Sequence, residues 1–350
     1  MTPGPEIPAT AVRAVARART RGTARARAVC ALLVPAGLAM FLLSLSVGDY
    51  AIPLPDLAAS LTARGTPAID YVVHRLRLPR AELAVLVGAA FGLSGAIFQK
   101  VVRNPLASPD IIGITAGAST GAVALIVLAG ASGLALSAGA LGGALLTSAL
   151  IYLLAWRQGV TGYRLALVGI GVASALTGVV SYLLTRTEVK VAQEGLVWLT
   201  GSLYGRADRV LPLAVAMAVL VPAAFALGRT LRALQLGDDA ARGLGLDAER
   251  TRLALLAVGT GLAGAATAAA GPVAFVAFLS GPIAARLTRG GGLGLLPAAL
   301  VGVLITLVAD FAAQHMLGGT QLTVGVVTGA VGAPYLLWLL AVSNRGGYGG

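Results

Sequence analysis

The chain has 350 residues, of which 57% are hydrophobic and 11% are charged, and its formal net charge is +12. A soluble domain carries about 25% charged residues, so this composition excludes a soluble globular protein. The 47 glycines suit helices that pack closely in lipid. We therefore predict an all-α polytopic membrane protein.

Residues 1–28 are a basic tail with six arginines and one acidic residue, Glu6. We interpret this tail as a disordered cytoplasmic arm that sets the orientation of the first span, rather than as a specific lipid-binding or regulatory segment. Elsewhere the basic residues flank apolar runs instead of gathering with aromatic residues on one face, so no nucleic-acid partner is expected. Cys30 is the single cysteine and is interpreted as a wall residue of the first span.

A ten-helix transmembrane domain is predicted over residues 29–342, followed by a short cytoplasmic tail at 343–350. A span needs about 20 predominantly apolar residues. The candidate spans are 29–47, 81–99, 112–130, 134–156, 163–185, 209–228, 252–270, 274–287, 293–314 and 322–342. The third and eighth spans begin beside Pro and Gly residues, which predicts broken or partly inserted helices there.

The distribution of basic residues supports ten crossings. With the arginine-rich tail inside, 18 of the 26 Lys and Arg residues fall in inner segments and 8 fall in outer segments. This asymmetry satisfies the positive-inside rule and predicts that both termini are cytoplasmic.

Four GxxxG spacings inside apolar segments predict close helix crossings. They are Gly88/Gly92, Gly117/Gly121, Gly139/Gly143 and Gly325/Gly329. Such spacings also arise by chance in a glycine-rich chain. They therefore indicate a compact bundle and carry no information about a substrate.

The outer loop before the second span ends in the basic sequence RLRLPR, which places Arg77 and Arg80 at the outer mouth. Two interpretations of these arginines are open. They could anchor the chain to lipid headgroups, or their guanidinium groups could pair with carboxylates of another protein.

The turn after the second span contains two prolines, Pro105 and Pro109, that stop regular helix. The simplest interpretation is helix termination, in which Asn104 and Ser108 satisfy freed backbone groups. A direct contact of this turn with the substrate is the alternative.

The inner loop at 234–247 is the longest internal cytoplasmic segment. Asp238 can cap a short amphipathic helix that would make a docking knob, and a solvated linker is the alternative. The residues assigned to the candidate docking loop are Leu236, Gly237, Asp238, Asp239, Ala241, Arg242, Leu244 and Gly245.

No enzymatic pattern is complete. Asp238 and Asp239 are adjacent, so a helix would splay them about 100° apart, and with only Asp247 following they cannot form a two-metal carboxylate site. The two histidines are distant from each other, and the chain has no GxxxxGK[ST] phosphate-binding loop. Asp310 is the clearest intramembrane charge and is expected to pair or cap near the outer face, because a proton relay would need several such groups.

Taken in order, these segments resemble the FecCD-type permease family of ABC importers for iron–siderophore complexes, haem and cobalamin. The resemblance covers residues 30–342. It is carried by residues 77–80 (RLPR), 88–99 (GAAFGLSGAIFQ), 103–106 (RNPL), 110–114 (DIIGI), 195–202 (GLVWLTGS), 236–245, 270–276 (AGPVAFV), 309–310 (AD), 324–328 (VGVVT) and 332–334 (GAP).

The resemblance implies a fold like that of the cobalamin-importer permease, with two permease subunits lining one pathway. By resemblance, Arg77 and Arg80 match positions that meet acidic residues of a substrate-binding protein. The loop from Asp238 to Leu246 matches the coupling helices that contact the ATP-binding subunit. Thr161, Gly162 and Tyr163 match the inner gate.

The resemblance further implies a permease subunit, without enzyme activity of its own, in the bacterial cytoplasmic membrane. Its partners would be a second permease, two ATP-binding subunits that hold ATP and Mg²⁺, and an extracytoplasmic binding protein. No cofactor is expected in this chain. A ferric siderophore is the expected substrate, and haem and cobalamin are the alternative substrates. An ATP-independent secondary transporter is the alternative mechanism.

Three positions depart from the family pattern. Gln314 stands where the family commonly has arginine, Thr323 stands where it has proline, and the pair Gly281-Pro282 replaces Pro-His or Pro-Gln. The first departure favours a heterodimer in which a related permease supplies the missing charge, and a homodimer remains possible.

Overall fold

The computed structural model describes residues 9–157, 161–289, 294–316 and 322–345. Within these ranges every regular element is helical. In chain order the α-helices are α1 (Ala9–Ser46), α2 (Leu54–Leu61), α3 (Pro67–Tyr71), α4 (Leu78–Val102), α5 (Pro109–Ile112), α6 (Ile114–Ala129), α7 (Gly133–Ala155), α8 (Gly162–Thr185), α9 (Val189–Leu199), α10 (Val210–Ala226), α11 (Gly228–Gln235), α12 (Asp238–Gly243), α13 (Ala248–Ala270), α14 (Val276–Thr288), α15 (Leu295–His315) and α16 (Val324–Arg345). A π-helical turn (Val72–Arg77) joins α3 to α4, and a 3₁₀ turn (Ala207–Arg209) precedes α10.

Each of the ten expected spans coincides with a helix, so the all-α membrane fold is confirmed. Seven helices in the described ranges are long and apolar enough to cross a membrane, and α6, α14 and the first part of α16 are shorter apolar helices. The two short helices α6 and α14 are the expected third and eighth spans. Gly113 (φ +94°) precedes α6 and Phe275 (φ +65°) precedes α14, so both helices begin at a left-handed backbone break.

Both ends of the chain are more helical than expected. The arm before residue 29 was expected to lack regular structure, but α1 begins at Ala9 and continues without interruption into the first span. Alanine and arginine, which dominate residues 9–28, are strong helix formers, which accounts for the difference. At the other end α16 continues to Arg345, beyond the expected boundary at 342, and residues 346–350 of the expected tail lie outside the described residues.

Helix α4 forms the centre of the bundle and packs against α13, α14 and α15. Two of its phenylalanines, Phe91 and Phe98, are fully buried. At Gly92 an added Cβ would lie 2.4 Å from the carbonyl oxygen of Ala298, so glycine is required for the approach of α15. The core therefore depends on small residues as much as on large apolar ones.

The GxxxG spacings have different outcomes. Gly117 and Gly121 of α6 face Gly143 and Gly139 of α7, and Gly88/Gly92 face α15, as expected for helix crossings. The fourth spacing makes no such crossing among the described residues. Gly325 approaches the carbonyl of Thr200, and a Cβ added at Gly329 would meet no atom within 4 Å.

We call the end of the bundle that carries α2 and α3 the outer end, and the end that carries α11 and α12 the inner end, after the topology expected from the basic residues. A small separate apolar cluster holds α2, α3 and the π-helical turn onto α1 and α4. Its buried members are Leu45, Ile52, Leu57, Ile69, Val73 and Ala81.

Candidate functional site

At the outer end, Arg80 and Asp310 form a buried ion pair between the first turn of α4 and α15. The Arg80 Nε atom lies 3.1 Å and 3.0 Å from the two Asp310 carboxylate oxygens, and Nη2 lies 2.9 Å from Oδ1. The side chains are only 12% and 5% exposed. Gln314, one turn further along α15, donates from Nε2 to Asp310 Oδ2 at 2.9 Å. Asp310, the intramembrane acid, was expected to pair or cap near the outer face, and it pairs with Arg80.

Arg77 is also engaged within the chain. Its Nη1 donates to the carbonyl oxygens of Leu45 (2.7 Å) and Ser46 (3.2 Å), and its Nη2 donates to that of Tyr50 (2.6 Å). The last carbonyls of a helix lack intrahelical donors and carry partial negative charge. Arg77 therefore satisfies the end of α1 and the loop that follows it.

A cavity of about 410 Å³ opens beside these two arginines. Its charged lining is mostly basic and consists of Arg75, Arg77, Arg80 and Arg206, with Asp49, Asp310 and His315. Burial and the neighbouring Arg209 lower the pKa of Arg206 to about 10, which Asp208 partly opposes, so Arg206 is charged at neutral pH. Arg75 is exposed and makes no ion pair or hydrogen bond to the described residues, and sequence reasoning did not single it out.

At the inner end, α11 and α12 form the expected short helical projection. Gly237 (φ +113°) turns the chain between the two helices and is the N-cap of α12. Asp238 was expected to cap this helix, but it is the first residue of α12 and makes no side-chain capping bond, because its carboxylate is directed to arginines of the bundle. Ala241, within α12, is fully buried, whereas Leu236 and Leu244, which flank the helix, are 70% and 65% exposed. Helix α12 therefore has one buried alanine within it and an exposed leucine on either side.

An ionic chain, which we call the inner ionic chain, runs from α12 into the bundle. Asp238 accepts hydrogen bonds from Arg103 Nη2 (2.8 Å, Oδ1) and Arg252 Nη2 (2.8 Å, Oδ2). Arg252 Nη1 donates to Glu249 Oε2 at 2.7 Å, and Tyr152 Oη donates to Glu249 Oε1 at 2.8 Å. Although burial opposes ionisation of Asp238, Arg252 and Arg103 outweigh it and lower its pKa below the ordinary 3.8. Sequence reasoning missed Arg252, Glu249 and Tyr152; only the Glu249/Arg252 spacing of three residues gave a local signal.

The turn after α4 has the expected terminating contacts. The Asn104 side chain accepts from the backbone N–H of Leu106 (2.9 Å), and the Ser108 hydroxyl accepts from that of Ile111 (3.3 Å). Both contacts confirm the interpretation of this turn as helix termination.

The residues matched to the inner gate lie at the start of α8, and residues 158–160 before them are outside the described ranges. Thr161 precedes α8 with an extended backbone. Gly162 sits so close to α4 that an added Cβ would be 2.5 Å from the Val102 carbonyl oxygen. Tyr163 is 81% exposed.

The other departures from the family pattern have local structural partners. Gln99 donates from Nε2 to the carbonyl oxygens of Pro105 (2.9 Å) and Phe278 (3.0 Å). Gly281 leaves room for this amide, because an added Cβ would lie 1.8 Å from Gln99 Oε1. Thr323, just before α16, donates to the carbonyl oxygen of Thr200 at 3.4 Å.

Metal-ligating side chains are not clustered in the described ranges, where no group of three or more His, Cys, Asp or Glu residues could hold an ion.

Comparison with known proteins settles the family. The model of the FecCD transport family matches residues 36–342. The chain belongs to the FecCD transport family. Among its relatives, the ferric enterobactin transport system permease protein FepG of Escherichia coli (strain K12) is 39% identical over 90% of this chain and 96% of its own length. The achromobactin transport system permease protein CbrC of Dickeya dadantii (strain 3937) is 38% identical over 87% of this chain and 88% of its own length.

A solved structure supports the fold of this FecCD protein independently. It is described as an inward-facing conformation of a metal-chelate type ABC transporter, and it superposes with a TM-score of 0.78 at 24% identity, covering 90% of this chain and 99% of its own. The resemblance inferred from the sequence is therefore confirmed at the level of family and fold.

Proposed function

We propose that this FecCD protein is the membrane-spanning permease subunit of an ATP-driven importer, which moves a ferric siderophore or a related iron chelate into the cytoplasm by alternating access. The observation that carries the proposal is the near full-length similarity to permeases named for ferric enterobactin and achromobactin transport. A relative named for iron(3+)-hydroxamate import in Bacillus subtilis (strain 168) is 36% identical over 87% of this chain. Iron chelates of different chemistry are thus the shared substrate class.

The energy would enter through α12. The sequence contains no phosphate-binding loop of the GxxxxGK[ST] type, so nucleotide and Mg²⁺ belong to separate ATPase subunits. The exposed Leu236 and Leu244 and the exposed Asp239 and Arg242 form a small amphipathic surface. This surface would sit in a groove of the ATPase. The ATPase can shift the permease between its conformations only if it binds one of them more tightly than the other.

The assembly would contain two permease subunits, two ATPase subunits and a binding protein, with both permease termini in the cytoplasm. A heterodimer is favoured, because Gln314 stands where an outer arginine is common in the family. Co-expression of this chain under two different affinity tags tests this point: a homodimer would carry both tags through two purification steps. The exposed Tyr163, with Thr161 and Gly162, would belong to the inner gate between the two permeases.

The outer cavity would receive acidic residues of the binding protein, with Arg77 and Arg80 as the docking charges. Charge reversal of both is expected to weaken docking and to remove its salt dependence, because charges at a rim act mainly on association. Arg80→Glu also breaks the pair with Asp310, so the matched control is Asp310→Asn, which disturbs the pair and leaves the basic charge. Binding-protein affinity at low and high salt is the measurement. Docking through another surface is indicated if the double reversal binds normally.

Reconstitution tests the whole proposal. The chain is placed in liposomes with its ATPase, permease and binding-protein partners, and uptake of catecholate, hydroxamate and citrate iron chelates, haem and cobalamin is followed. ATP-dependent accumulation of a ferric chelate is expected. Uptake driven by a proton gradient without ATP would overturn the importer assignment, and accumulation of haem or cobalamin alone would overturn the substrate class.

A further inference from the structure

Asp238 occupies an unusual position, because it begins the exposed helix α12 and is also bonded to the bundle. Its side chain is 36% exposed, while that of its partner Arg252 is only 10% exposed. Its other partner, Arg103, ends α4 in a left-handed conformation and also donates to the carbonyl oxygen of Leu234 at 2.6 Å. Asp238 thus joins the tip of the inner projection to the inner ends of α4 and α13.

The same bonds reach a fourth helix. Arg252 uses one terminal nitrogen for Asp238 and the other for Glu249, and Glu249 uses its second oxygen for Tyr152 of α7. A guanidinium group is planar and its donors have fixed directions, so Asp238 cannot shift against Arg252 without losing a bond or moving the arginine. Of these elements, α4 and α13 are the most buried along their length.

The neighbouring acid provides a natural contrast. Asp239 has a fully exposed side chain, and among the described residues it pairs only with Arg242 of its own helix, at 3.2 Å. A bond within one helix cannot connect that helix to another. Two adjacent aspartates of the same charge therefore differ in one respect: Asp238 spans elements and Asp239 does not.

We propose that Asp238 is the positioning residue that ties α12 to α4 and α13, so that a displacement of α12 moves the inner ends of these two central helices. The proposal rests on the proposed function, in which α12 meets the ATPase. Asp238 is not itself a docking contact in this scheme. It carries the displacement from the docking surface into the bundle.

The first test compares Asp238→Asn with Arg250→Gln in the assembled transporter. Arg250 is 89% exposed on α13 and pairs with Asp247, outside the proposed ATPase contact surface. The measured quantity is the number of chelate molecules transported per ATP hydrolysed. We expect this ratio to fall about fivefold or more in Asp238→Asn, the lower end of ordinary allosteric coupling. Arg250→Gln should leave it unchanged, and Asp238→Glu should recover part of the loss because it keeps the charge. Normal coupling in Asp238→Asn would overturn the proposal.

The second test needs no mutation of Asp238. Replacing the single cysteine, Cys30→Ser, gives a background for spin labels at Ala240→Cys in α12 and Arg250→Cys in α13, both of which are exposed positions. The label-to-label distance reports how α12 sits on α13. We expect it to be the same in the nucleotide-free and ATP-bound complexes, because the two elements move together. A distance that changes between these states would overturn the proposal even if Asp238→Asn failed to assemble.

A failure of the proposed function and a failure of the role of Asp238 give different experimental results. Failure of the proposed function would be visible in the wild-type complex, as absence of ATP-driven uptake. Failure of the role of Asp238 would be visible as a functional wild-type complex in which Asp238→Asn transports with normal efficiency.

Discussion

The two ends of the bundle use ion pairs in different ways. At the outer end, Arg80 and Asp310 join two long spans, and both side chains are almost completely buried. At the inner end, Asp238 is 36% exposed and connects a short helix outside the spans to α4 and α13. The outer pair therefore joins two packed spans, whereas the inner ionic chain joins a projecting helix to the bundle.

The difference follows from the cost of removing one partner. Removal from a buried pair leaves an unpaired charge without water, which is strongly destabilising. Removal from a half-exposed pair lets the remaining groups turn toward solvent, so the loss is smaller. Variants of the outer pair should consequently reduce stability most, and variants of the inner ionic chain should reduce coupling most.

The largest effect on stability is expected for Asp310→Ala. This change leaves the Arg80 guanidinium buried without its counter-ion and should lower the free energy of unfolding by about 3–5 kcal/mol. Denaturation of the purified chain in mixed micelles is the measurement. The double variant Arg80→Leu with Asp310→Leu should recover much of the loss, since it removes both charges. A loss below about 1 kcal/mol, the range of exposed pairs, would show that water reaches Arg80.

A smaller loss of stability is expected for Arg252→Leu at the inner end. The change removes two charge-assisted hydrogen bonds, but Asp238 and Glu249 can rehydrate, so we expect about 1.5–3 kcal/mol. The same variant should reduce transport per ATP hydrolysed as much as Asp238→Asn does. The control is Arg250→Leu. Arg250 also lies on α13, pairs with Asp247 and is 89% exposed, so its replacement should change neither stability nor transport per ATP. The contrast between the two ends fails if Arg252→Leu destabilises as strongly as Asp310→Ala.

The smallest effect is expected for Gln314→Leu, which removes a single neutral donor from Asp310. Asp310 keeps its bidentate bonds to Arg80, so the free energy of unfolding should fall by about 1 kcal/mol. Gln314→Glu should cost more, because it places a second carboxylate beside Asp310. Equal stability of the two variants would mean that Gln314 does not contact Asp310.

Local features of the chain were predictable from the sequence. The apolar runs predicted ten helices in the right places, and the prolines around Asn104 predicted both the turn and its side-chain contacts. The glycine spacings predicted close helix crossings, and Gly117 and Gly121 make one with α7, although the spacings did not indicate which helices would meet. Each of these signals lies within one helix or one turn, so periodicity and backbone preference are sufficient to detect it.

Pairing across the bundle was not predictable in the same way. Arg80 and Asp310 are 230 residues apart, and Arg103 and Asp238 are 135 residues apart. The motif containing Arg80 suggested a contact with lipid headgroups or with another protein and gave no sign of a pair with Asp310. Asp238 was expected to cap its own helix, and nothing local predicted its bonds to Arg103 and Arg252. One sequence without alignment carries no signal of which distant charges meet.

Composition and hydropathy by themselves determined that this chain is a helical membrane protein, because apolar runs of about 20 residues cross a bilayer as helices, which satisfy their backbone groups within the segment. The order of its motifs determined the family. The tertiary structure alone decided which charges are buried together, that Arg77 holds the end of α1, and that Asp238 rather than Asp239 reaches the central helices. The physical reason is that helix formation depends on neighbours along the chain, whereas an ion pair depends on which helix ends the packing brings within about 3 Å.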